Sequence, residues 1–104
     1  MLRLKANPTF KTSVKIPVPG GEVVTITMEY KHMTKDQYRA FIEQEKTKKR
    51  SDEAAIQDIA VGWEGVEAEF TPENVHEFCQ QYHGAATRIA QTFIEELTQY
   101  KAGN

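Results

Sequence analysis

The sequence predicts a single α+β domain spanning residues 1–104, with an N-terminal β-hairpin followed by about four α-helices. Three patterns carry this expectation. Apolar residues alternate strictly in two neighbouring stretches, the period of a half-buried strand. Two helix starts are marked by capping signals at Thr34 and Thr71. The C-terminal stretch carries an apolar stripe at helical spacing over more than three turns.

The hairpin is placed at about 10–31. Phe10, Thr12, Val14 and Ile16 alternate with Lys11, Ser13 and Lys15. Pro17-Val18-Pro19-Gly20-Gly21 then breaks the run, because proline fixes φ and glycine supplies positive φ. Beyond the turn, Val24, Ile26, Met28 and Tyr30 point one way, and Thr25, Thr27, Glu29 and Lys31 the other. A lone hairpin is marginal in water, so its apolar face needs a helix or another subunit to cover it.

Helices are predicted at about 34–47, 51–61, 72–82 and 85–101. Thr34 and Gln37 form a capping box, and Met33 is placed to staple against Tyr38. Tyr38, Phe41 and Ile42 give the first helix its stripe, and the run Lys46-Thr47-Lys48-Lys49-Arg50 reads as its frayed end or a linker. Ser51-Asp52-Glu53 opens the second helix, with acids suiting its positive N-terminus. Gly62 and Gly65 mark an irregular stretch around Trp63, and the alternation of Val66, Ala68 and Phe70 with Glu67 and Glu69 suggests a short extended segment. Thr71-Pro72 starts the third helix, with Phe70 able to staple to Val75. Val75, Phe78, Cys79 and Tyr82 line one side of that helix; Ile89, Phe93, Ile94, Leu97 and Tyr100 line the fourth.

Composition narrows the function. A net charge of −2 gives no whole-chain attraction to nucleic acid or an anionic membrane. No stretch approaches the roughly 20 apolar residues of a membrane helix, and MLRLKANPTFK has no secretory pattern. A single cysteine, Cys79, allows no internal disulfide and is compatible with a reducing compartment.

Chemistry is sparse. Ser13 and Ser51 lack a nucleophile context, and Pro19-Gly20-Gly21 lacks the lysine and helix start of a phosphate loop. His76, Cys79 and His83 share a helix face, but a structural zinc site wants four ligands and no second pair supplies them; packing of Cys79 as a small hydrophobe is the simpler account. Glu64, Glu67, Glu69 and Glu73 read as a solvated face. The basic run at 46–50 is flanked by acids and lacks interleaved aromatics, unlike a nucleic-acid site. Trp63 is left with two roles, a plug in the core or an anchor for a partner. No metal, cofactor or catalytic residue is expected, and the chain reads as a binding protein, not an enzyme.

The segments VKIPVPGG (14–21), KHMTKD (31–36), VGWEGV (61–66) and FTPE (70–73), with a terminal helix after YHGAA (82–86), together resemble the tail assembly chaperones of long-tailed bacteriophages and prophages. The resemblance covers nearly the whole chain. It implies a protein that binds the tape measure protein in the host bacterial cytoplasm, keeps it soluble until the tail tube polymerises around it, and is absent from the finished virion. It also implies self-association. A longer form made by a translational frameshift would engage the major tail tube protein, and this chain would correspond to the shorter form. No family motif residue marks a binding site, so the contact candidates are apolar side chains: Trp63, Tyr82, Phe93 and Leu97. The competing reading is a small structural tail or head–tail connector protein of the virion.

Overall fold

Strands β1 (Thr9–Val18) and β2 (Glu22–Lys31) pair antiparallel in the register that sets Phe10 opposite Tyr30 and Val14 opposite Ile26. The computed structural model describes residues 1–48 and 50–100. At the hairpin turn the Gly21 N–H donates to the Val18 carbonyl at 3.1 Å, and both Gly20 and Gly21 take positive φ, which explains the two glycines. The elements that follow are α1 (Lys35–Lys48), α2 (Asp52–Ile59), β3 (Ala60–Glu64), α3 (Pro72–Gln81) and α4 (Ala85–Thr98).

The alternation sorts the hairpin into a buried and an exposed face. Val14, Ile16, Ile26, Met28 and Tyr30 are buried, whereas Lys11, Ser13 and Lys15 face solvent. The helices cover the apolar face, with α4 against β1 and α2 against α4. Phe93 of α4 is fully buried and is the meeting point. Its ring lies 5.3 Å from Tyr30, 6.2 Å from Phe10 and 6.1 Å from Phe41, so one side chain ties α4 to both hairpin strands and to α1. The Tyr30 hydroxyl donates to the Ile89 carbonyl at 2.8 Å, and burial raises its pKa well above the ordinary tyrosine range.

The cap signals work as read. Thr34 Oγ1 accepts from the Gln37 N–H at 3.2 Å and Gln37 Oε1 accepts from the Thr34 N–H at 2.9 Å. Ser51 and Thr71 cap α2 and α3 by accepting from the Ala54 and Asn74 N–H groups. The first helix runs to Lys48, and the segment after it is tied down at Arg50, whose guanidinium donates to Glu45 of α1 at 2.5 Å and to Asp58 of α2.

Two segments differ from the sequence reading. The second helix stops at Ile59, and residues 60–64 form a third strand on the free edge of β2, giving sheet order β1-β2-β3. Gly62 and Trp63 therefore belong to a strand, while residues 65–68 bend and Val66–Phe70 form no strand. The cause is a β-bulge. Tyr30 pairs with Ala60 and Glu29 with Gly62, which leaves Val61 as the extra, exposed residue. The bulge breaks the period-2 signal and restores Trp63 to the face that holds Ala60. The fourth helix ends at Thr98 because Gln99 takes a left-handed conformation, φ 59°; residue 101 of the expected range lies outside the described residues.

Replacing Phe93 by alanine removes the shared contact of four elements and is expected to cost about 3–5 kcal/mol in urea unfolding. A Cβ on Gly84 would sit 2.9 Å from the Pro17 ring, whereas one on Gly62 meets nothing within 4 Å. Gly84→Ala is thus expected to destabilise by roughly 1–3 kcal/mol, and Gly62→Ala to stay within about 0.5 kcal/mol of wild type.

Candidate protein-binding groove

Helix α3 packs mainly on α2 and α4 and meets the sheet at Trp63 of β3. Between α3 and the tip half of the hairpin this leaves an open groove of about 550 Å³. Ile16, Val18, Val24 and Ile26 form its floor, and Phe78 and Tyr82 form the α3 wall. Val24 remains 48% exposed although it points along the apolar face of β2. The rim carries Glu67 and Glu77, and no lysine or arginine lines the groove among the described residues.

The third boundary is the segment after β3. Gly65 takes φ +92°, a left-handed conformation that turns the chain over Ile26. Trp63 fixes this turn: its Nε1–H donates to the Ala68 carbonyl at 2.8 Å, and its ring meets Phe70 edge-on at 5.3 Å and Phe78 at 5.2 Å. Phe70 packs on Trp63 and against the core that holds Val75, its expected staple partner. Asn74 Nδ2 donates to the Glu69 carbonyl at 2.9 Å and closes the loop onto α3. Phe78 continues to Tyr82 at 5.1 Å. The result is a half-exposed aromatic ladder, Phe70, Trp63, Phe78, Tyr82, running from the loop into the groove wall.

The four contact candidates thus separate into two places. Trp63 and Tyr82 belong to the ladder, and Tyr82 lines the groove. Phe93 is in the core with no exposed surface. Leu97 is half-buried beside Phe10 and His32, in a hollow at the opposite end of β1. Sequence reading passed over the groove's floor at Val18 and Val24 and its wall at Phe78. The available signal was the apolar face of the hairpin, whose need for a cover the helices meet only in part.

The other clusters resolve into surface chemistry. His76 Nδ1 lies 2.6 Å from Glu53 Oε1 and links α3 to α2, while His83 is exposed. Among the described residues no three His, Cys, Asp or Glu side chains converge on a point that would hold a metal ion. Glu64 pairs with Lys11 at 2.9 Å across the outer face of the sheet. No helix is long and apolar enough to cross a membrane, among the described residues.

A family model described as phage tail assembly chaperone matches residues 1–104. No curated protein and no solved structure matches the chain.

Cys79 sits half-buried on α3, where desolvation, with a smaller contribution from Glu53, pushes its thiol up from 9.0 to about 11. A raised folded-state value means that its contribution to stability is intact below about pH 9 and is lost as the pH rises through about 11. Between those values wild type is expected to lose more of its urea midpoint than Cys79→Ala. At pH 8 a thiol reagent is expected to label the native chain more slowly than the urea-unfolded chain.

Proposed function

Because the chain belongs to the phage tail assembly chaperone family, we propose that it binds the tape measure protein and keeps it soluble while the tail is built. The reading has it act in the cytoplasm of the infected bacterium, by binding and not by catalysis, and leave before the virion is complete. The observation that supports it is the groove: an apolar trough that the fold leaves open, walled by half-exposed aromatics and rimmed by carboxylates.

A tape measure protein is long and helical, and its exposed apolar stripes aggregate before the tube forms around them. A holdase for such a client needs a preformed apolar surface that one helix face can enter, with polar edges that keep the complex soluble. Ile16, Val18, Val24 and Ile26 supply the floor, Phe78 and Tyr82 the wall, and Glu67 and Glu77 the polar edge. Tyr82 presents a large rigid contact surface at small entropic cost, the property that makes tyrosine an interface anchor. A longer form with an extra C-terminal part would join this client-binding domain to the tube protein.

Co-expression with the tape measure protein encoded beside it tests this. Wild type is expected to bring the client into the soluble fraction and to co-purify with it. Val24→Lys and Tyr82→Ala are expected to reduce the soluble client at least about tenfold, the effect of losing one buried anchor. Thr27→Ala, on the outer face of the sheet, is expected to behave as wild type. An insoluble client with wild type would contradict the proposal, as would recovery of the chain from purified particles.

A further inference from the structure

Charge is sorted along this chain. Residues 51–87 hold eight of its 15 acidic side chains and none of its 13 lysines and arginines. That stretch builds α2, β3, the loop that follows and α3, so it supplies the loop side and the helical wall of the groove. Part of its charge is spent inside the domain: Asp58 pairs with Arg50, Glu64 with Lys11 and Glu53 with His76. Glu67 and Glu77, which line the groove, have no such partner among the described residues. Gln81 donates to Glu77 Oε2 at 2.7 Å along the same wall, which leaves the carboxylate further lone pairs.

The groove also restricts what can enter. Strands β1 and β2 spend backbone hydrogen bonds on each other, and those of α3 lie within the helix. The floor and wall therefore offer side chains, and an occupant has to satisfy its own backbone, as a helix does. Asn74, Glu77, Phe78, Gln81 and Tyr82 follow one another at helical spacing along the wall, a stripe about 12 Å long. It accommodates about two turns of a second helix.

A purely apolar helix is a poor fit. Closing the groove over it takes water from Glu67 and Glu77 and gives their oxygens nothing in return. Acids on the occupant add repulsion. Lysines or arginines beside the apolar stripe turn the same two carboxylates into partners, and the field of the acidic stretch draws such a segment in. We infer that the groove selects client helices by charge: about two turns with an apolar stripe on the floor, flanked by lysine or arginine facing Glu67 and Glu77. The inference rests on the reading of the groove as the client-binding surface, and it states which segments of the client that surface takes.

Overlapping peptides covering the tape measure protein, titrated with the full chain, test it. Those that bind wild type are expected to carry a helical apolar stripe with flanking lysine or arginine, and to bind more weakly as salt is raised. Glu67→Lys with Glu77→Lys, both at exposed positions, is expected to weaken their binding about tenfold. Asp36→Lys with Glu43→Lys, the same change in net charge on the exposed face of α1, is expected to leave it unchanged. Peptides whose flanking bases are replaced by glutamate are expected to prefer the Glu67/Glu77 reversal over wild type. Binding that ignores salt and this reversal, a bound set that is acidic or uncharged, or an equal loss in the α1 control would overturn the inference. So would a free wild-type chain whose self-association is abolished by Val24→Lys, since a second copy would then fill the groove. Client solubilisation is read separately. A wild type that holds the tape measure protein and loses it with Val24→Lys, yet binds regardless of flanking charge, sinks the charge selection and leaves the chaperone reading standing. A client that stays insoluble with wild type sinks both.

Discussion

The structure depends on one docking event, the seating of Phe93 from α4 against Tyr30 and Phe10 on the sheet. A hairpin with one apolar face is marginal alone, and an amphipathic helix of this length gains most of its stability from packing and not from propensity. Each is the other's missing layer. The Tyr30 hydroxyl donated to the Ile89 carbonyl fixes how the two layers align, since a buried hydroxyl without a partner is costly. Phe41 reaches the same point, so α1 joins the domain through the same contact.

That alignment determines what is left open. Helix α4 follows β1, from Gly84 beside Pro17 near the hairpin tip towards Leu97 beside Phe10 at the strand's start. Helix α3 is held on α2 and α4 and is linked to α2 through His76 and Glu53. No described residue then closes the space above Val24, and the groove exists as a consequence of helix packing. Its loop side is set by Trp63, whose indole donates to the Ala68 carbonyl in the loop that Gly65 turns over Ile26 and whose ring packs on Phe78. Trp63 thus supports local packing and backs the groove wall at Phe78.

Much of the fold was legible because the local signals were strong. The alternation from Phe10 to Ile16 and from Val24 to Tyr30 marked the correct buried face, and Thr34, Ser51 and Thr71 marked three helix starts with their own hydrogen bonds. Strand β3 was illegible for a physical reason. A bulged residue at Val61 shifts the inward positions from Ala60 to Trp63, so no period-2 pattern survives in AVGWE. The end of α4 was overrun because the apolar stripe continues to Tyr100 while the backbone turns at Gln99. The candidate site was legible at Trp63 and Tyr82, where large apolar side chains stood near a break in periodicity. Its floor was not, because whether Val24 is covered depends on where α3 packs, which no local pattern encodes.

The central claim is that the client contacts the groove between the hairpin tip and α3. A photo-crosslinking amino acid placed at Tyr82 in cells making both proteins tests it most directly, with the same group at Thr27 on the outer sheet face as the reference. The account predicts that irradiation joins the tape measure protein to the chain from position 82 and not from position 27. Crosslinks from position 27 with none from position 82 would contradict it.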